Sequence, residues 1–355
     1  MSKTVYSLLQ LGWSHFYQQQ LTLDEWESTF PGRIIAVYRN SIDIISVSGV
    51  HRINFSSILQ PTIFNDFPTV GDWLLINSAT YQPYRLLERK SLFRRKAAGQ
   101  ESKYQLIAAN IDTLFIVTSC NQDFNLSRLE RYLALSLEAA VIPVLVLTKA
   151  DLSAHASDYQ QQAQMLYPNW SVKTVNALEA SSVEQLRTWC GVGQTVALVG
   201  SSGVGKSTLV NSLCGNHTQK TGAVREDDAR GRHTTTFRSL HLIPDGGLLI
   251  DNPGMREVQL DECSSGIKTL FDEIQQLETA CYFKNCKHQS EDGCAVKLAI
   301  ADGKVDSRRL ANYQKLSVER EHNAESIAER RKREKSFRKL CRSASTFRNK
   351  VRSGE

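Results

Sequence analysis

The 355-residue sequence lacks the features of a membrane or secreted protein. It contains no run of about 18 consecutive apolar residues, the length that a membrane-spanning helix requires. Its first residues, MSKTVYSLLQLGWSHFYQQQ, lack the basic start and long apolar segment of a secretion signal. No internal repeat is present. We therefore expect a cytoplasmic protein of two or three domains that has no membrane partner and is a monomer.

A disulfide framework is also missing. Five of the eight cysteines are scattered, whereas the other three lie close to a histidine in the spacing Cys-x4-Cys-x-His-x5-Cys. In a reducing compartment such a cluster indicates a metal site. Three sulfur atoms and one imidazole are typical of one structural Zn²⁺ ion, with no open position. The predicted ligands are Cys281, Cys286, His288 and Cys294; ordinary small core residues are the alternative.

Acidic residues are scarce at one end of the chain. The net charge is +6, but residues 330–352 contain eleven Lys and Arg against one acid, Glu334, which gives 11 − 1 = +10. Such a concentration of positive charge indicates a polyanionic partner; the alternative is a solvated tail.

The remaining pattern predicts a multi-domain α/β protein. After an N-terminal lead (1–29), short alternating segments predict an OB-like β-barrel (30–99), for which any small antiparallel domain is the alternative. Buried strands then alternate with helices, which indicates a largely parallel α/β sheet (100–260). The last part (261–355) combines predicted helices with the Cys/His cluster.

The segment GSSGVGKS, residues 200–207, fits the phosphate-loop pattern between a buried strand and a helix. Its glycines let backbone N–H groups approach phosphate oxygens, and the helix directs its N-terminal dipole toward the anion. Lys206 is expected to contact the β and γ phosphates, as part of the catalytic machinery, and Ser207 to coordinate Mg²⁺. The predicted contacts are Gly200, Ser201, Ser202, Gly203, Val204, Gly205, Lys206, Ser207 and Thr208.

The segment TKAD, residues 148–151, predicts which base the bound nucleotide carries. A carboxylate at Asp151 can accept hydrogen bonds from guanine N1–H and N2–H2, and adenine offers no such donor pair. Lys149 would lie along the base, with Thr148 and Ala150 completing the loop. Downstream, Asn176 and Ala177 in VNAL occupy the place of a supporting loop, where the Ala177 N–H would contact the guanine O6 atom.

Two further segments resemble GTPase switches. DNPG, 251–254, closes a strand; Asp251 would hold Mg²⁺ through water, and the Gly254 N–H would contact the γ-phosphate. GRHTTT, 231–236, offers Thr234 or Thr235 as a further Mg²⁺ ligand. Met255 cannot orient a water molecule, so His233 is the candidate for that catalytic role; the alternative is that His233 packs or binds a partner.

These motifs occur as TKAD, VNAL, GSSGVGKST, GRHTTT and DNPG, a circular permutation of the usual GTPase order. The sequence resembles the RsgA (YjeQ) family nearly end to end, including VGDW, RRKAAG and the Cys/His cluster. Asn176 and Asn252 depart from the family pattern. The resemblance implies an N-terminal OB-fold, a permuted P-loop GTPase domain and a zinc domain.

The resemblance also implies a function: GTP hydrolysis, with Mg²⁺, as a switch in late maturation of the small (30S) ribosomal subunit, which stimulates the reaction. The partners would be the subunit and its rRNA. Two alternatives remain, namely an RNA-binding assembly factor with little nucleotide turnover and a GTPase acting at a membrane or on a metal-transfer partner. Basic and aromatic residues between Tyr84 and Lys96 are further candidates for RNA contact. They include Arg85, Arg89, Lys90, Phe93, Arg94 and Arg95.

Overall fold

The N-terminal lead contains two short helices. We describe the fold from a computed structural model for residues 6–38, 41–54, 67–96, 104–215, 239–244, 246–251 and 263–324. Helix α1 spans His15–Gln18 and α2 spans Leu23–Ser28. Helix α2 starts with a capping box, in which the Thr22 side chain accepts from the Glu25 N–H and the Glu25 carboxylate accepts from the Thr22 N–H.

Five antiparallel strands follow, in the spatial order β3-β2-β1-β4-β5. Their bounds are β1 Thr29–Val37, β2 Ser41–Ser46, β3 Gly49–Asn54, β4 Trp73–Asn77 and β5 Pro83–Leu86. One face buries an aliphatic cluster that includes Ile34, Ile42 and Ile44. The opposite face packs against Leu11 and Tyr17 of the lead, so both faces are covered. Burial on both faces explains why β4 is apolar without alternation.

A hairpin connects this unit to the larger sheet. Strand β6, Leu92–Lys96, pairs antiparallel with β7, Tyr104–Ala109. The predicted domain boundary between residues 99 and 100 lies in the connection between these two paired strands.

Six strands form the α/β part in the order β10-β9-β8-β11-β13-β12. The first five are parallel, and β12 is antiparallel to β13. Their bounds are β8 Thr113–Ser119, β9 Ile142–Thr148, β10 Ser171–Thr174, β11 Thr195–Val199, β12 Ser239–Leu242 and β13 Leu248–Asp251. Strand β12 also pairs with β1 at Ser239 and Ala36, which makes the two sheets continuous. The predicted mixed α/β fold with a largely parallel sheet is confirmed.

Helices cover both faces of this sheet. Helices α3 (Leu126–Glu138) and α4 (Ala156–Gln164) pack on one face, and α5 (Ala180–Val183) and α6 (Lys206–Cys214) pack on the other. Alternate residues of β8 point to opposite sides: Leu114 joins the first cluster and Phe115 the second. The sheet is therefore the middle layer of three.

Four helices follow in the described C-terminal part. Their bounds are α7 Ser264–Leu270, α8 Asp272–Glu278, α9 Ala295–Ala301 and α10 Ser307–Ala324. Helices α7 and α10 pack against α3. Gly266 of α7 allows the closest approach, because a Cβ atom there would lie 2.0 Å from the carbonyl oxygen of Ala134. The Glu138 carboxylate accepts a 2.8 Å hydrogen bond from the Gly266 N–H. These contacts fix α7 against the end of α3.

A buried arginine joins the lead, the antiparallel unit and the α/β part. Arg33 of β1 is 1 % exposed and has four neutral acceptors. Its guanidinium donates to the Leu11 carbonyl oxygen at 2.6 Å and to the Thr195 hydroxyl at 2.8 Å. The other acceptors are the carbonyl oxygens of Gly71 and Asn110. A buried cation without these bonds would be strongly destabilising, so Arg33 fixes this junction.

Candidate nucleotide and metal sites

The phosphate loop lies between β11 and α6, as predicted from the sequence. Gly200 has a φ of +149°, and a Cβ atom there would lie 2.0 Å from the Val117 carbonyl oxygen, so the tight passage beside β8 requires glycine. The Lys206 ammonium group donates to the carbonyl oxygens of Gly200, at 2.8 Å, and Ser201. Ser202 and Gly203 are exposed at the mouth of the loop. Ser207 and Thr208 lie in the first turn of α6.

The TKAD segment is brought to this loop by the sheet. Thr148 ends β9 and is fully buried; its hydroxyl donates to the Val204 carbonyl oxygen at 2.5 Å. Lys149 has a left-handed backbone with φ +57°, and the one-turn 3-10 helix Ala150–Leu152 follows it. Asp151 is exposed beside the site. The segment that carries the Asp151 carboxylate is thus joined to the phosphate loop by the hydrogen bond from Thr148.

The VNAL segment lies next to the same site. The Asn176 side chain accepts a 3.1 Å hydrogen bond from the Leu178 N–H, so it shapes the turn itself. Ala177 is buried, and its carbonyl oxygen accepts a 2.6 Å hydrogen bond from the Ser212 hydroxyl on α6. The Asn176 side chain thus shapes the turn, while the Ala177 carbonyl oxygen joins this loop to the phosphate-loop helix.

One Mg²⁺ candidate lies in the described part of the chain beyond Ser207. Asp251 ends β13, and the preceding residue Ile250 pairs with Ala197 of β11, the strand that leads into the phosphate loop. The other switch candidates, His233, Thr234, Thr235 and Gly254, lie outside the described residues, as do Asn252, Met255 and the basic segment 330–352.

The structure reveals one residue at the phosphate loop that the motifs do not include. The Arg128 guanidinium donates to the Ser201 hydroxyl. Arg128 lies in the first turn of α3, three residues after the helix cap Asn125. The sequence contains no signal for this contact, because it depends on β8 lying beside β11.

The four predicted metal ligands come together. The potential ligand atoms of Cys281, Cys286, His288 and Cys294 all lie within 4.8 Å of one another. The His288 Nδ1 atom is 3.4 Å from the Cys294 Sγ atom, and the Cys281 and Cys294 Sγ atoms are 4.0 Å apart. A tetrahedral Zn²⁺ ion with bonds of about 2.3 Å to sulfur requires similar ligand separations. This cluster could therefore hold a metal ion.

Two glutamates that sequence reasoning missed support the cluster. The Glu278 carboxylate lies 2.9 Å from the His288 Nε2 atom, which orients the ring with Nδ1 toward the sulfurs. Tyr313 of α10 donates to the other oxygen of Glu278 at 3.2 Å. Glu291 accepts hydrogen bonds from the backbone N–H groups of Lys287, Gln289 and Ser290. These bonds lower the pKa of Glu291 to about 2.

The predicted RNA patch of the antiparallel unit needs a correction. Arg85 forms a bidentate ion pair with Glu25, in which the guanidinium nitrogens lie 2.8 and 2.9 Å from the carboxylate oxygens. Arg89 forms a second bidentate ion pair with the fully buried Asp72, with nitrogen–oxygen distances of 2.7 and 2.9 Å. Phe93 is buried in the core. These three residues stabilise the fold instead of forming an open RNA surface, because partners distant in sequence face them. Tyr84 is exposed, and Arg94 stacks on the exposed ring of Tyr104 at 4.4 Å.

Within the described residues, no helix has both the length and the apolar character needed to cross a membrane.

The sequence is similar to those of known proteins along nearly its whole length. The model of the RsgA GTPase family matches residues 86–261. The small ribosomal subunit biogenesis GTPase RsgA 2 of Vibrio parahaemolyticus is 51 % identical over 343 residues, which cover 97 % of this chain and 94 % of that one.

Solved structures show the same fold. YjeQ from Thermotoga maritima matches with a TM-score of 0.58 and 23 % identity, over 82 % of this chain and 98 % of that one. YloQ, a circularly permuted GTPase, matches with a TM-score of 0.58 and 20 % identity, over 84 % and 97 %. The permuted order of the motifs is thus consistent with the fold that this chain shares with YloQ. The chain is a GTPase that belongs to the RsgA family.

Proposed function

We propose that this GTPase acts as a GTP-dependent conformational switch in late maturation of the small (30S) ribosomal subunit. The names of its relatives as small ribosomal subunit biogenesis GTPases support the process. The hydrogen bond from Thr148 to Val204 carries the nucleotide part of the proposal, because it joins the base loop to the phosphate loop.

In the proposed site Asp151 selects guanine, while Asn176 and Ala177 shape the opposite wall. Lys206 exchanges its carbonyl partners for charged phosphate oxygens, which are stronger acceptors. Ser207, Asp251 and Thr234 or Thr235 would hold Mg²⁺, which neutralises charge on the phosphates. Gly254 would contact the γ-phosphate, and His233 would position the attacking water molecule.

The four-ligand cluster fits one structural Zn²⁺ ion. Three sulfurs and one imidazole leave no open position, and the carboxylate of Glu278 holds the imidazole in the required orientation. The ion would stabilise a segment, residues 281–294, that contains no helix or strand of its own.

The two modules that flank the GTPase domain, the OB-like barrel and the zinc module, would bind rRNA. We infer that β1–β5, which begin at Thr29, belong to the OB-like barrel predicted for residues 30–99, and that the zinc module comprises residues 261–355. Exposed Tyr282 and Phe283 lie beside Lys284 and Lys287 in the cluster. Exposed rings beside lysines suit base stacking together with phosphate contact. Tyr84 and the basic segment 330–352 would add further contacts.

Sedimentation with purified small subunits under GDP, GTP and a non-hydrolysable analogue tests the proposal, with released phosphate recorded in parallel. We expect co-sedimentation with the analogue and phosphate release that rises when subunits are added. A Lys206→Ala variant is the control and should show neither effect. Co-sedimentation without any increase in phosphate release would favour the alternative, an RNA-binding assembly factor with little turnover.

A further inference from the structure

Helix α3 contacts both the phosphate loop and the C-terminal helices. At its first turn, Arg128 donates to the Ser201 hydroxyl, while the carbonyl oxygen of the same Ser201 accepts from Lys206. Ser201 is therefore fixed by one cation from α3 and by another from the phosphate loop's own helix. A shift of α3 would therefore displace Ser201, the second residue of the loop.

Two residues after Arg128, α3 binds the C-terminal helix α10. Glu130 is fully buried, and its carboxylate accepts hydrogen bonds from Arg308 at 2.9 Å, from Arg309 at 3.0 Å and from Asn312. A buried carboxylate is stable only while it is paired, so α3 and α10 must move together. Arg131 strengthens the contact through an ion pair with Glu319.

The other end of α3 is fixed to α7. The close approach of Gly266 to Ala134 and the bond from the Gly266 N–H to Glu138 leave little room for sliding between the two helices. Packed helices transmit displacement because their interfaces have discrete arrangements. One rigid helix thus has the phosphate loop at its N-terminal turn and the C-terminal helices along the rest of its length.

We propose that α3 couples the nucleotide site to the C-terminal helical module, with Arg128 as the positioning residue at the phosphate loop. This connection is distinct from the covalent one that leads from Asp251 into the C-terminal module. Nucleotide binding rearranges the loop, Arg128 transfers the change to α3, and Glu130 transfers it to α10. Because coupling is reciprocal, a partner that displaces the C-terminal helices changes nucleotide affinity through the same residues.

Hydrogen exchange on the free, full-length protein tests the coupling. Amide exchange in α7 and α10 is compared without nucleotide, with GDP and with a non-hydrolysable GTP analogue. We expect nucleotide to change exchange in the wild type and Arg128→Ala to abolish that change at saturating nucleotide. Arg128→Lys, which keeps a cationic donor, should restore part of the response. Wild-type helices that do not respond to nucleotide, or an Arg128→Ala variant that responds normally, would overturn the proposal.

A double-mutant cycle tests the contact itself. Arg128→Ala and Ser201→Ala should each change the affinity ratio of GTP analogue to GDP by about fivefold, a typical coupling magnitude. The double variant should show no further change, because both substitutions remove one interaction. Additive effects would contradict the direct contact.

Arg187→Ala is the matched control, since Arg187 pairs with Glu184 on another part of the same domain. The Arg187→Ala variant should keep the wild-type exchange response to nucleotide. If it loses that response as fully as Arg128→Ala does, the loss reflects general destabilisation, and the assignment of Arg128 as the positioning residue is overturned. The proposal rests on nucleotide binding but not on the subunit. Failure of subunit stimulation would therefore leave this test intact, whereas loss of all nucleotide binding in the wild type would refute both.

Discussion

The hydroxyl group of Thr148 lies 2.5 Å from the carbonyl oxygen of Val204, although 56 residues separate them in sequence. The loop expected to contact the base is thus hydrogen bonded to the loop expected to hold the phosphates. Thr148 is fully buried, so water cannot replace this bond. A single side chain keeps the two halves of the proposed site in register.

Replacing Thr148 with valine should weaken nucleotide binding. The isosteric change leaves the Val204 carbonyl oxygen without this donor, and an unsatisfied buried group costs about 1–3 kcal/mol. We expect GDP affinity to fall by about tenfold in calorimetry, within that range. Thr174→Val, at a hydroxyl bonded to the exposed Gln160 side chain, is the control and should bind normally. An unchanged affinity for the Thr148 variant would show that the two loops are held independently.

Asp151→Asn should remove the preference for guanine. The amide replaces an acceptor with a donor facing the N1–H and N2–H2 groups, so GTP affinity should fall by about a hundredfold or more. Binding of xanthosine triphosphate, which has a carbonyl oxygen at position 2, should improve. Asp158→Asn, an exposed acid of α4, is the matched control. Equal affinity of the wild type for ATP and GTP would contradict this role of Asp151.

Glu278→Gln should weaken the metal site without removing a ligand. The carboxylate that orients His288 is lost, and loss of such outer partners typically lowers metal affinity by about 10- to 100-fold. Competition with a chromophoric chelator gives the Zn²⁺ affinity directly. Asp292→Asn, an exposed acid within the segment 281–294, should leave the affinity unchanged. Wild-type affinity in the Glu278 variant would mean that backbone geometry alone orients the ring.

The attachment of the N-terminal lead should depend on pH. Hydrogen bonds from Arg85 lower the pKa of Glu25 below its ordinary value. The folded protein thus favours the ionised form, and the stabilisation is present above about pH 4.5 and is lost as pH falls below it.

Glu25→Gln should therefore lower the free energy of unfolding by about 1.5 kcal/mol at pH 7, the lower end of the range for hydrogen bonds to a charged group, because the Arg85 side chain is partly exposed. The difference from the wild type should shrink in denaturation curves recorded at progressively lower pH. The exposed neighbour Glu27 provides the control, as Glu27→Gln should have little effect on the free energy of unfolding at pH 7 or at the lower pH values. A difference that stayed constant across this range would rule out the ion pair as its source.

The local patterns predicted much of this protein. The phosphate loop, TKAD and the Cys/His cluster were readable because each function needs particular residue types at short spacing, and the apolar runs predicted the strands. The structure joins Thr148 to Val204 of the phosphate loop and Ala177 to Ser212 of the helix that follows it, and it brings the four metal ligands within 4.8 Å of one another.

Only the tertiary structure decided which distant side chains face one another. Sheet order depends on burying both faces of the central strands, and it places β8 beside β11, so Arg128 reaches Ser201 across 73 residues. The same packing pairs Arg85 with Glu25 and so removes an arginine that composition alone assigns to RNA. Spacing along the chain determines a motif, whereas the partner of a charged side chain is determined by burial, because a charge withdrawn from water needs an opposite charge or a dipole nearby.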